Sequence, residues 1–310
     1  MKTLKGLAEE HHALIASDST FQRKARILQS LWREELGYEP APYRDRVLGS
    51  SVAMPLAEKE MVNFLDDDIC CVVRKVLGQY EGNDERVIKR DRLFGNLLSS
   101  QPMAFNLFAR LKCDTNLATK CFRSLSPDRI KRVTTVEFEY SEGRGDETYT
   151  GDHSAFDVFI GFETPIGERG FVGIEVKYHE NLQDKKVYEH KRYPVVAGRM
   201  KCFDMDRLGV FDQGPLHQIW RDHLLVGAHR WHEKNGFADG FFVFLSPKDN
   251  DACNRAISEY RTCLSDCGTF EHWTLESLAE TISKFTNDPW IAAFQDRYTN
   301  FAKVDRLLTT

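Results

Sequence analysis

The spacing of hydrophobic and polar positions changes near residue 131. Before it, apolar residues recur at helical intervals. Leu4, Leu7 and Leu14 share one face, and Ile27, Leu28 and Leu31 continue the pattern towards Gly37, which predicts helix through residues 1–36. Pro40 and Pro42 end it. Met61, Phe64, Leu65, Ile69, Val73 and Val76 predict a long amphipathic helix over 56–78, with a loop at Gly82, Asn83 and Asp84. Residues 98–110 predict another helix, capped by Ser99 or Ser100 and with Pro102 tolerated in its first turn. From Lys131 the period becomes two. Val133, Val136 and Phe138 mark a strand, and the glycine-rich stretch 141–151 leads into two more, at 156–160 and 173–178, around a turn at Pro165, Ile166 and Gly167. A helix is predicted over 216–233. The all-apolar run at 240–245 reads as a buried parallel strand, and helices over 249–264 and 275–285 bracket a short strand at 270–273. The order β-β-β-α-β-α-β-α predicts an α/β fold, a mixed sheet flanked by helices over 131–310, with a helical N-terminal region, 1–130, packed on it. No linker composition separates the two parts.

Chemistry enters through the charged positions of the hairpin. A hairpin symmetric about Ile166 sets Asp157 opposite Glu175, and cross-strand partners lie about 5 Å apart on one face. Lys177 points to the same face. Val158, Ile160, Ile174 and Val176 then point into a core. Two carboxylates and a lysine over one patch suit Mg²⁺, which takes one or two carboxylates and keeps several waters. Such an ion polarises a phosphoryl oxygen and lowers the pKa of a bound water. The competing expectation is a solvated strand carrying a cross-strand ion pair. On the first strand Glu139, flanked by Phe138 and Tyr140, adds a third carboxylate for a second metal ion or a water, or is an exposed strand acid. On the helix after the hairpin, Gln218 and Arg221 share a face at i, i+3, with Trp220 and Asp222 beside them. Arg221 is suited to gripping a phosphate in two places.

Asp, a hairpin, then Glu-x-Lys resembles the core of the PD-(D/E)XK nuclease superfamily. Residues 92–108, 136–140, 151–157 and 217–225 are similar in content and order to one restriction-endonuclease-like family within it. The first block includes Asn96, Leu97, Leu98, Ser99, Ser100, Gln101, Phe105 and Asn106; the last includes Gln218, Trp220, Arg221, Asp222, His223, Leu224 and Leu225. Phe156 stands where the first motif has its proline. The resemblance implies a PD-(D/E)XK fold and a nuclease that hydrolyses phosphodiester bonds with Mg²⁺ or Mn²⁺. It implies catalytic roles for Asp157, Glu175 and Lys177, a further metal ligand in the Val176 carbonyl, and orientation of the lysine or a water by Gln218. It favours DNA over RNA and suggests restriction or phage defence. Because the superfamily contains members that have lost activity, the alternative is an inactive nucleic-acid-binding or scaffold protein. Asn96 and Gln101 either shape a substrate cleft or fix a helix.

Composition narrows the rest. The chain has 310 residues, 42% of them hydrophobic, and contains no apolar run of membrane-spanning length. The N-terminus lacks the apolar stretch of a signal peptide, so a cytoplasmic protein with eight free thiols is expected. Cys253, Cys263, Cys267 and His272 lack the spacing of a zinc site. His217, His223, His229 and His232 share one helix without a His-Glu-x-x-His motif. Net charge is −5, so contact with nucleic acid must rest on local charge. Lys185, Lys186, Lys191, Arg192, Arg199 and Lys201 cluster just after the site and offer phosphate contacts. There is no Walker A motif and no DNA-reading module, so ATP hydrolysis or target specificity would fall to a protein partner.

Overall fold

The computed structural model describes residues 2–79, 88–182, 190–212 and 214–309. The first helical stretch divides into α1 (Leu4–Glu10) and α2 (Thr20–Glu35). The break arises because Ser19 starts a new helix: its Oγ accepts from Gln22 N (3.2 Å) while Gln22 Oε1 accepts from Ser19 N (3.0 Å). The proline segment is not a plain break but part of a small hairpin, β1 (Ala41–Tyr43) with β2 (Arg46–Leu48). The helix expected over 56–78 is also two, α3 (Leu56–Lys59) and α4 (Asp67–Gln79). Met61, at φ 53°, turns the chain out of helix, and the Asp66 carboxylate starts α4 by accepting from Ile69 N at 2.8 Å. The predicted loop at Gly82, Asn83 and Asp84 lies outside the described residues.

A turn of π-helix (Asp91–Gly95) precedes α5 (Ser100–Cys113). Ser99 Oγ accepts from Gln101 N at 3.3 Å, and Asn96 Oδ1 accepts from Leu98 N at 3.0 Å. Asn96 thus fixes the turn into α5. Then come α6 (Thr115–Leu125), β3 (Arg132–Tyr140), β4 (Phe156–Glu163), β5 (Arg169–Val176), α7 (Tyr193–Met200), a 3-10 segment (Met205–Asp212), α8 (Gly214–Arg230), β6 (Asp239–Ser246), α9 (Asp251–Arg261), β7 (Phe270–Thr274), α10 (Leu275–Ser283), α11 (Pro289–Tyr298) and α12 (Ala302–Thr309). The sequence pattern had one helix between the hairpin and β6. The structure adds α7 and the 3-10 segment.

The change of period at residue 131 predicts a division there, with the C-terminal helices kept with the sheet. By its contacts the chain forms one compact unit from Met1–Arg110 with Thr286–Thr310, and a second from Leu111–Phe285. In the first unit Arg297 is fully buried, donating to Asn63 O (2.8 Å) and Gln29 Oε1 (3.0 Å) with its guanidinium 3.6 Å from the Trp32 ring centre. Asn106 donates to Asn63 O and Tyr298 Oη in the same polar core.

The second unit is built on a five-stranded sheet in the order β3-β4-β5-β6-β7. The first three strands run antiparallel, and β6 and β7 join in parallel. The hairpin register pairs Val158 with Ile174 and Glu163 with Arg169, as symmetry about Ile166 predicts. Gly167, at φ 86°, makes the turn that a side chain would strain. Alternation suggested a half-buried hairpin, but both faces are covered. Val158, Ile160, Val172 and Ile174 are fully buried on one side; Phe159 and Phe171 are buried on the other, in a core shared with α8 and α9. The cause is the helices packed on the sheet, among them α6 against β3 and α8 against β6.

Candidate active site

Asp157 lies at the start of β4 and Glu175 near the end of β5. The register sets them opposite each other, one place beyond the Val158–Ile174 pair. Asp157 Oδ2 accepts from Val176 N at 2.7 Å. Glu175 Oε1 accepts from Lys177 Nζ at 2.6 Å and from Gln218 Nε2, on α8, at 2.7 Å. Glu175 and Lys177 are each only 7% exposed, so this is not a solvated strand face. Asp157 Oδ1 and Glu175 Oε2 accept no hydrogen bond from the described residues.

Glu139 stands beside Asp157 on β3, between the partners of Val158 and Phe156. It is buried, against the reading of an exposed strand acid, and its φ of 51° is left-handed, a costly conformation for a side chain of this size. Arg144 Nη2 donates to its carbonyl at 2.8 Å. Glu139, Asp157 and Glu175 therefore form a row across three neighbouring strands, at the carboxyl end of β5.

The electrostatics follow from this crowding. Burial, then Glu175 and Glu139, hold the Asp157 carboxyl well above the usual range, against Lys177 and the Val176 N–H. Burial works against the Lys177 charge, but Glu175, Glu180 and Asp157 outweigh it and keep the ammonium protonated. Asp222, one helical turn beyond Gln218, is 3% exposed and pushed up to about 8 by burial and Glu175, offset in part by Arg221 and Lys177. Arg221 Nε is 3.5 Å from Asp222 Oδ1. Burial opposes the Arg221 charge, and Asp222 and Glu175 sustain it. Sequence reasoning missed Glu180, whose Oε2 accepts from Tyr178 N at 2.7 Å. Strand alternation ends before it, and no spacing pointed to it.

The basic segment is only partly brought in. Lys185 and Lys186 lie outside the described residues. Lys191 is exposed, 3.8 Å from Glu147, and Arg192 donates to the carbonyls of Tyr149 (3.3 Å) and Thr148 (3.4 Å), so it braces the β3–β4 loop. His217, His223 and His229 bond to protein oxygens, and His232 stacks on Tyr149.

Asp157 Oδ1 and Glu175 Oε2 are each free to ligate, and a cation between the two carboxyl groups would offset the crowding that raises Asp157. Among the described residues no group of three or more His, Cys, Asp or Glu is arranged to hold a metal ion. A pair of carboxylates completed by water matches Mg²⁺ better than it matches zinc. No helix among the described residues is long and apolar enough to cross a membrane.

A family model described as the PD-(D/E)XK nuclease superfamily matches residues 16–300. No curated protein and no solved structure matches the chain.

Proposed function

The chain belongs to the PD-(D/E)XK nuclease superfamily, and we propose that it is an active nuclease that hydrolyses phosphodiester bonds in DNA with Mg²⁺ or Mn²⁺. The observation that carries this reading is Glu175 Oε1 held by both Lys177 and Gln218 beside Asp157. Asp157 and Glu175 would hold the ion, with the Val176 carbonyl as a further oxygen and Glu139 holding a water or a second ion. The bound ion would supply Lewis-acid activation of the phosphate and a more acidic water. In the metal-free site the neighbouring carboxyl groups favour the protonated form of Lys177. It donates, either to the attacking water or to the charge that builds on the phosphoryl oxygens. Gln218 fixes the Glu175 oxygen that Lys177 also holds. Arg221 offers two donors to a flanking phosphate.

The test is incubation with plasmid, linear and single-stranded DNA and RNA, each with Mg²⁺, Mn²⁺ or EDTA. Cleavage of DNA with either metal and none in EDTA is expected. Binding without cleavage of any substrate would instead support the inactive scaffold reading. A restriction or phage-defence setting predicts fewer plaques on cells carrying the protein than on cells carrying Lys177→Ala.

A further inference from the structure

A polar cavity lies in the same unit as the candidate active site. Its volume is about 460 Å³. Its walls are the β3–β4 loop at Asp146, Glu147 and Thr148, the α7 segment at Arg192 and Arg199, and the end of α8 with Trp231, His232 and Lys234. The loop is the one that joins Glu139 to Asp157.

Trp231 is 39% exposed, an unusual position for the largest aromatic side chain. Its ring lies close over Gly227, where an added Cβ would come within 3.0 Å of it. In the opposite wall His232 stacks on Tyr149 (4.0 Å, 10°), and His232 Nε2 is 3.0 Å from Thr148 Oγ1. Among the described residues Arg199 has no ion-pair partner, Lys234 lies within electrostatic reach of Asp146, and Glu147 is near His190 and Lys191. The Arg230 guanidinium lies 5.4 Å from the centre of the Trp231 ring, and a partly exposed aromatic ring among cations is an arrangement that binds single-stranded nucleic acid, where the ring takes the base and the cations take the phosphate. Asp146 and Glu233 add acceptors for the amino groups of a base.

We infer that this cavity binds an unpaired nucleotide of the substrate strand, its base stacked on Trp231 and its phosphate held by Arg199 and Lys234. The inference rests on nucleic acid being the substrate. A base inside a duplex is stacked on its neighbours and cannot reach the ring, so the cavity selects single-stranded, frayed or flipped-out nucleotides.

The test measures binding of a fluorescein-labelled ten-nucleotide oligo(dT) and of a blunt duplex, both in EDTA. Trp231→Ala should weaken oligo(dT) binding about tenfold and leave duplex binding unchanged, while Trp231→Phe keeps most of the affinity. Arg199→Ala with Lys234→Ala should flatten the salt dependence for oligo(dT) by about one unit. Unchanged oligo(dT) affinity in Trp231→Ala, or an equal loss for both ligands, overturns the inference. Plasmid cleavage read in parallel separates the two claims. Lys177-dependent plasmid cleavage together with oligo(dT) binding that ignores Trp231 removes the cavity and keeps the nuclease. Trp231-dependent binding without any cleavage does the reverse.

Discussion

At the scale of single residues, the site is a contest between burial and charge. Lys177 wins it by proximity to Glu175, Glu180 and Asp157. Lys177→Ala should therefore lower kcat by roughly a hundredfold to a thousandfold, as losing one donor to a developing charge does elsewhere. DNA affinity should barely change, and a parallel loss of affinity in a binding assay would mark Lys177 as a docking contact. Asp157 and Asp222 lose the contest, because both are held above the ordinary carboxyl range. An acid raised on folding stabilises the folded state below its unfolded pKa, and that contribution is lost as pH rises through the folded value. In EDTA, the contribution from Asp222 should fall away between about pH 4 and pH 8. Asp222→Asn should then flatten the decline in Tm over that window, and thermal melts at half-unit steps check it. Asp157→Asn should leave Tm in EDTA equal or higher at pH 8, since an amide oxygen still accepts from Val176 N while the like charge is gone. A large drop would make Asp157 a structural ion-pair partner.

At the scale of elements, the hairpin works because its two strands are sized for each other. Gly173 faces the Phe156 ring, and a Cβ there would come within 2.3 Å of it. Phe156 directly precedes Asp157, so Gly173→Ala should cost about 1–3 kcal/mol by overpacking and should also lower activity by moving the carboxylate. A melt combined with a cleavage assay reads both effects, and intact activity in a destabilised variant would uncouple Phe156 from the site. Helix α8 contributes Gln218, Arg221 and Asp222 from successive turns of one element. Gln218→Leu removes a buried bond to a charged group, worth about 1.5–3 kcal/mol, and should show mainly in kcat.

At the scale of the whole molecule, a bound ion links the site to global stability. A ligand that binds only the folded state stabilises it by about 2.7 kcal/mol at a hundredfold excess over Kd. Mg²⁺ or Mn²⁺ should therefore raise Tm, and the shift should vanish in Asp157→Asn with Glu175→Gln. An equal metal-induced shift in that double variant would place the ion elsewhere.

The hairpin register, the Asp157–Glu175 facing, the Lys177 side and the parallel strand β6 were legible in the sequence, because alternation and a turn residue are local signals that fix a register by themselves. Gln218 was legible through the resemblance, and its bond to Glu175 spans 43 positions. The limits of the N-terminal helices were not legible. Their breaks depend on the Ser19 cap and on the left-handed turn at Met61, and apolar spacing runs through both without interruption. Nor could the sequence show that Glu139 and Asp222 are buried, or that Trp231 is partly exposed in a cavity with Arg199 and Lys234. Whether a charge or a ring meets solvent depends on which distant segment packs over it, and only the tertiary structure decides that.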